Sequence, residues 1–280
     1  MGCTSRACRN FKSKVMEQLF VIKIGGNVID DEKNLAAFLT TFAAIAGKKI
    51  LIHGGGKIAT KIGDQLGIES KYTNGRRITN GETIDVVTMV YGGLVNKKLV
   101  AKLQALHCNA IGLTGADANI IPATKRSVTK EGIDFGFVGD VVAGQLPTAR
   151  YQLFLTNGLT PIIAPLTHDG KGQMLNTNAD TIASSIAVAL AAIYDVRLIY
   201  CFEKKGVLEN VDDENSAIPL ITKDIYQQLK AGNKLFDGIL PKIDNAFAAI
   251  DSGVKEVLIG HADDLLQNVT EQTTGTLIKV

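Results

Sequence analysis

Two short apolar runs in the first sixty residues each end in glycine, and each leads into a helical pattern. Residues 19–24 (LFVIKI) are rich in β-branched side chains and stop at Gly25-Gly26. Residues 34–46 then carry Leu35, Phe38, Leu39, Phe42 and Ile45 at helical spacing. Residues 49–52 form a second strand pattern, closed by His53 and the triplet Gly54, Gly55, Gly56, before a helix over about 57–66. Strands joined through helices pair in parallel, and parallel sheets bury both faces. This opening therefore predicts an α/β chain built on a parallel sheet.

The rest of the chain keeps the same grammar. The patterns predict strands over 110–113, 161–164, 196–201, 254–259 and 275–280, with residues 276–278 alternating as an edge strand would. Helices are predicted over 82–106, with a weak point at Gly92-Gly93, and over 145–157, 179–192, 222–231 and 238–251. Residues 67–81 read as irregular. Residues 120–142 read as hairpin material, with turns near 129–132 and around Gly139. No fixed-period repeat and no linker rich in Pro or Gly-Ser divides the chain. Two lobes of one continuous sheet, with a seam near 170–195, fit better than separate beads.

Composition limits the function classes. Lys plus Arg is 30 and Asp plus Glu is 28, so the formal net charge is +2 and nothing argues for a nucleic-acid partner. The most apolar stretch, 182–200, is broken by Ser184, Ser185, Asp195 and Arg197, so no membrane span is expected. Cys3, Cys8, Cys108 and Cys201 have no metal or disulfide spacing, which suits a reducing, cytoplasmic setting. Residues 1–18 read as a polar, tag-like or disordered tail.

Five places carry residue types suited to anion chemistry. A Lys at a parallel strand's end, such as Lys23, points at the crevice where open α/β sheets bind ligands. Gly25 and Gly26 beside it leave backbone N–H groups free for an anion. Gly54, Gly55 and Gly56 open a helix whose positive N-terminus favours the same ligand. Neither loop is a Walker A or GxGxxG sequence. His53 reads as an oriented structural histidine. Either Arg76 or Arg77 could clamp a carboxylate through its planar fork. Asn176, Asn178 and Asp180 precede one helix, which needs only one cap. Lys242 falls in a first helical turn, after Asp237-Gly238, where it opposes the helix dipole unless an anion binds there. Taken singly, each is equally a surface charge, a tight turn or a cap.

Taken in order, these pieces resemble the amino-acid kinase family from about residue 19 to the C-terminus. The strand end KxGG matches Lys23 to Gly26, HGGG matches His53 to Gly56, and NGxR-[VI]-T matches Asn74 to Thr79. The motif N-x-N-A-D matches Asn176 to Asp180, and the helix with a second phosphate-binding lysine matches Gly238 to Asn245. Residues 112–117 and 138–141 resemble further family elements.

The resemblance implies a three-layer αβα sandwich with a central, mostly parallel open sheet. It implies a lobe over 19–178 for an acylated amino acid and for dimerisation, and a lobe over 179–280 for ATP. Lys23, Lys242, Asp180, Gly55 and Gly56 take catalytic roles by this likeness. Arg77, rather than Arg76, then binds the acceptor with Asn176, Gly54 and Gly55. Gly25, Gly26, Phe202, Gly206 and Lys242 hold the nucleotide. Mg2+ rides on the ATP phosphates, and no protein-held metal site is expected. The implied enzyme is a cytoplasmic homodimer, or a hexamer of dimers as in arginine-regulated relatives, of arginine biosynthesis that phosphorylates the γ-carboxylate of N-acetyl- or N-succinylglutamate; the alternatives are another activity of the family or a non-catalytic ligand sensor on the same fold. Its short lead-in before the first strand implies weak or no feedback control through an N-terminal helix. Two departures matter. Residues 201–208 differ from the family's T-D-V-x-G-V-L loop, so nucleotide contacts are expected to change. Ala116 and Ala118 flank Asp117, so the acyl pocket is expected to be reshaped, and Arg76 would suit an extra carboxylate there.

Overall fold

A computed structural model describes residues 16–73, 75–210, 212–232, 235 and 238–280. The readings made on residues 1–15, Asn74 and Asp237 lie outside the described residues.

In chain order the strands are β1 (Gln18–Ile24), β2 (Lys48–Ile52), β3 (Lys71–Thr73), β4 (Arg76–Ile78), β5 (Ala110–Leu113), β6 (Ala123–Lys125) and β7 (Gly139–Val141). They continue with β8 (Thr160–Ile163), β9 (Leu166–His168), β10 (Met174–Asn176), β11 (Asp195–Phe202), β12 (Leu220–Ile221), β13 (Glu256–His261) and β14 (Thr276–Ile278). The helices are α1 (Gly26–Asp30), α2 (Glu32–Ala44), α3 (Gly56–Gln65), α4 (Gly81–Val87), α5 (Asn96–Ala105), α6 (Thr148–Thr156), α7 (Ala179–Leu190), α8 (Lys223–Ala231), α9 (Leu240–Asp251) and α10 (Leu265–Asn268).

Among the described residues the main sheet has eight strands, in the order β12-β14-β13-β11-β1-β2-β8-β5. Every neighbouring pair is parallel except β13 with β14. The central strands bury both faces, and their side chains sort by alternation. Leu19, Val21, Ile50, Ile52, Val196, Leu198, Val257 and Ile259 face one core, with α6, α7, α8 and α9 over it. Phe20, Ile22, Ile24, Leu51, Ile199, Cys201 and Leu258 face the other, under α1 to α5 and α10. A slip of one residue in any central strand would exchange these two sets, so the register is tightly fixed. The architecture is a three-layer αβα sandwich.

Polar residues hold the ends of the sheet. Lys49 is buried under α2 and donates to Ala43 O (2.9 Å) and Ile45 O (2.7 Å), closing that helix's C-terminus. Arg197, 1% exposed, donates from Nε to Glu256 Oε1 (2.6 Å) and from Nη1 to Thr270 O (2.6 Å). It thereby ties β11 to β13 and to the chain that returns into β14. Breaking such a buried pair on one side leaves an uncompensated charge, at a cost of about 3–5 kcal/mol.

Three expectations are corrected, and the long helix holds with its irregularity at the expected weak point. The last strand is not an edge: β14 lies between β12 and β13. Residues 67–81 include the hairpin β3–β4, paired Lys71↔Ile78 and Thr73↔Arg76. Gly139 starts a strand rather than a turn. A Cβ there would lie 2.5 Å from Thr167 Oγ1 and 2.7 Å from Thr177 Oγ1, so close approach of chains demands the glycine. The long helix over 81–105 is continuous, but residues Thr88–Val95 are π-helical around Gly92-Gly93.

Candidate active site

The site lies at the carboxyl ends of β1, β2 and β11, where the two halves of the sheet meet. Alternation places Lys23 of β1 and Phe202 of β11 on the face covered by α7 and α9. The first turn of α7 brings Asp180, and the first turn of α9 brings Lys242.

Lys23 Nζ lies 2.8 Å from Asp180 Oδ1. Oδ1 is buried and has no aligned hydrogen-bond donor, so the contact is electrostatic, without hydrogen-bond geometry. Lys23 Nζ also lies 5.1 Å from the centroid of the Phe202 ring, and Lys242 Nζ lies 3.8 Å from it. Burial pushes the Lys242 ammonium below the ordinary lysine range. Asp180 pulls it up and Lys23 pushes it further down.

The three polar residues before α7 divide their work. Asn178 is the cap: its Oδ1 accepts from Asp180 N (2.8 Å) and Thr181 N (3.1 Å). Asn176 Nδ2 donates to Thr79 Oγ1 (3.1 Å), and Asp180 turns to the lysine.

The two glycine loops touch, since a Cβ at Gly54 would lie 3.7 Å from Gly26 N. Gly25 N already donates to Cys201 O (3.3 Å). Gly55 has φ +146°, and a Cβ there would lie 3.1 Å from the Tyr91 ring. The π-helical turn supplies that ring. His53 behind the loop is fully buried. Asn96 Nδ2 donates to Ile162 O (2.9 Å) and lies 3.1 Å from His53 Nε2, while His53 Nδ1 lies 2.7 Å from Gly54 O. These partners make Nδ1 the protonated nitrogen of a neutral ring, and burial pushes its pKa down to about 4. His53 thus sits behind the loop as a neutral ring with both nitrogens against protein partners.

Two cavities open here. One of about 380 Å³ is lined by Lys23, Gly25, Gly26, Phe202, Gly206 and Lys242. The other, about 880 Å³, is lined by Gly54, Gly55, Gly56, Arg77, Asn176, Asp180 and Lys242 among others. Lys242 borders both. The residues expected to hold nucleotide thus share the first cavity, and those expected to hold the acceptor share the second. Gly206 has a packing reason too: a Cβ would lie 2.5 Å from Thr276 Oγ1, on the strand beside it.

Arg76 and Arg77 both line the larger cavity, but only Arg77 is buried. Its Nη2 donates to Gly56 O (2.9 Å) and Thr60 Oγ1 (2.8 Å), its Nη1 donates to Ser70 Oγ, and it lies over the Tyr72 ring. Part of its fork is therefore engaged with the glycine loop. Tyr91 and Arg126 are among the lining residues that escaped the sequence reading. Tyr91 is hidden inside a long helical pattern. Arg126 pairs with Asp140, Nε to Oδ1 at 3.0 Å and to Oδ2 at 3.2 Å. Its place in a hairpin of mixed polarity gave no signal. Ala116 and Ala118 do not line this cavity, so the expected reshaping of an acyl pocket by them finds no contact. Among the described residues no three His, Cys, Asp or Glu side chains gather as a metal cluster would, and no helix is long and apolar enough to cross a membrane.

Comparison with known proteins shows which family the chain resembles. The sequence pattern of the amino acid kinase family matches residues 18–261. An acetylglutamate kinase of Cytophaga hutchinsonii is 53% identical over 262 residues, covering 93% of this chain and 98% of that one. A solved protein of Streptococcus mutans is 32% identical with a TM-score of 0.72, covering 94% of this chain and 98% of that one. The N-acetylglutamate synthase of Neisseria gonorrhoeae shares the fold alone: TM-score 0.78 at 21% identity, covering 94% of this chain but 59% of that one. By the span of the family match and the identity of these relatives, the chain belongs to the amino acid kinase family.

Proposed function

We propose that the protein transfers the γ-phosphoryl group of MgATP to the γ-carboxylate of an N-acyl-L-glutamate, with an acetyl or succinyl acyl group, in arginine biosynthesis. The observation that carries this reading is the meeting of Lys23 and Lys242. Lys23 comes from β1 and Lys242 from α9 to one ring, Lys23 paired with Asp180, and Lys242 borders both cavities. The acetylglutamate kinase relative is matched over nearly its whole length, which favours the same acceptor.

The acceptor carboxylate needs no general base. A glutamate side chain ionises near ~4.3, so it is already an anion at neutral pH. The obstacle is the repulsion between that anion and the triphosphate, so catalysis rests on positioning and charge neutralisation. One carboxylate oxygen attacks the γ-phosphorus, the bond from that phosphorus to the β,γ-bridging oxygen breaks, and ADP leaves with an acyl phosphate as product. Lys23 neutralises the transferring group, and Lys242 the leaving oxygen on the nucleotide side. The N–H groups of Gly55 and Gly56 hold phosphoryl or carboxylate oxygens. Asp180 pairs with Lys23 and offsets part of the positive charge of the two ammoniums. Arg77 and Asn176 bind the α-carboxylate and the acylamino group. Gly25, Gly26, Phe202 and Gly206 shape the nucleotide side. Magnesium enters bound to ATP, as part of that substrate.

The lobes divide this labour as 19–178 for acceptor and dimer contacts and 179–280 for nucleotide, in a cytoplasmic homodimer. The test is ATP-dependent hydroxamate formation in hydroxylamine, with N-acetylglutamate, N-succinylglutamate, aspartate, glutamate and carbamate as acceptors. Trapping with an acyl-glutamate in step with ADP release is the expected result. Turnover with another acceptor alone, or none, would overturn the reading.

A further inference from the structure

Lys23 and Lys242 present two positive charges to the site, and Asp180, paired with Lys23, supplies one negative charge that also acts on Lys242. Like charges this close repel, and burial raises that cost. Something else must keep the pair together before a phosphate arrives. Among the described residues Lys242 makes no salt bridge, and its near partner is the Phe202 ring at 3.8 Å. Lys23 lies 5.1 Å from the same ring. An aromatic face carries negative potential, and it attracts an ammonium within about 6 Å more strongly as water is excluded.

We propose that Phe202 is a positioning residue whose ring holds the Lys23 and Lys242 ammoniums together, so that the nucleotide meets a preassembled pair. The ring itself is well placed to do this. Phe202 ends β11 one register step from β1, with Ile24 paired to Cys201. Tyr200 stacks near it at 6.2 Å and an interplanar angle of 20°. The ring is thus fixed by the sheet while the two lysines arrive from β1 and α9. An aliphatic residue of similar size would fill the space and leave the ammoniums with Asp180 alone. The other charged groups lining this cavity, Glu203 and Lys204, follow β11 in the next loop.

The inference rests on the proposed kinase reading, and its test separates the two. Position 202 is replaced by mono-, di- and trifluorinated phenylalanine, which drain the ring face at nearly constant shape, and by Phe202→Leu and Phe202→Tyr. In the active enzyme kcat should fall stepwise with fluorine number, by roughly five- to thirtyfold across the series. The dissociation constant for MgATP should rise in the same order, with little change in the acceptor KM. Phe202→Leu should match the trifluorinated protein or fall below it, and Phe202→Tyr should restore most of the rate. A flat series in an active enzyme overturns the inference and leaves the function standing. A wild type with no phosphoryl transfer to acyl-glutamates overturns the function. In that case the MgATP dissociation constants still decide the inference: a graded rise supports it and a flat series sinks it.

Discussion

The Lys23 ammonium and the Asp180 carboxylate stand 2.8 Å apart, joining the end of the first strand to the first turn of α7 across the seam of the sheet. A Lys paired this way is held in place without help from substrate. The pair is also incomplete. The buried Oδ1 lacks an aligned donor, so the carboxylate keeps capacity for Lys242, whose charge it supports.

Lys23→Ala should lower kcat by about a hundredfold to a thousandfold, or ~2.7–4 kcal/mol, the usual loss when a group that stabilises only the transition state is removed. Asp180→Asn keeps the shape and deletes the charge, and should lower kcat by roughly ten- to a hundredfold. Steady-state kinetics with circular dichroism checks both. A fall below fivefold for Lys23→Ala in a folded protein would remove that residue from the mechanism.

Arg77→Ala should chiefly raise KM for the acceptor. The residue also bonds Gly56 O, Thr60 and Ser70, so a stability loss of about 1–3 kcal/mol should accompany it. Arg76→Ala should do much less to stability, because that side chain is exposed. Urea denaturation and acceptor titration separate the two effects. A change in kcat alone would contradict a clamp.

The working form of Lys242 is the ammonium, so activity should fall as pH rises through its pKa. Burial and Lys23 hold that pKa below the ordinary lysine value, against the pull of Asp180. The alkaline limb of kcat/KM for ATP, which reports the free enzyme, should therefore lie below the ordinary lysine range. The limb in kcat should lie higher, since bound phosphate favours the charged form. A limb that does not move between the two profiles would contradict this assignment.

Gly55→Ala should cost about 1–3 kcal/mol of stability, because φ is +146° and the new Cβ would press on the Tyr91 ring. Thermal melts of Gly55→Ala beside Gly55→Ala/Tyr91→Leu check the cause. Partial recovery in the double variant is expected. No recovery would place the whole cost in the backbone.

Much of the scaffold was legible because its signals are local. The run at 19–24 and the alternation in the central strands come from burial on two faces, and the glycine stops come from turns at the strand ends. The exceptions depend on distant chain. Gly139 looked like a turn because nothing in its own neighbourhood reveals Thr167 and Thr177 closing on it. Residues 276–278 read as an edge because β12 has only two residues and carries no periodic signal. The separate residues Lys23, Asp180 and Lys242 were visible, each beside a loop or a cap. Their convergence was implied by the family resemblance alone and not by any local signal, because it follows from β11 entering the sheet beside β1. Tyr91 and Arg126 were silent for the same reason. A tyrosine in a helix and an arginine in a hairpin acquire meaning only through the cavity they border.

The most direct test is a crystal structure with MgADP, an N-acyl-glutamate and aluminium fluoride in place of the transferring phosphoryl group. The expected result is both the Lys23 and Lys242 ammoniums within hydrogen-bond reach of that group, about 2.7–3.1 Å. Either ammonium turned to a different cavity, with the fluoride held by other residues, would contradict the account.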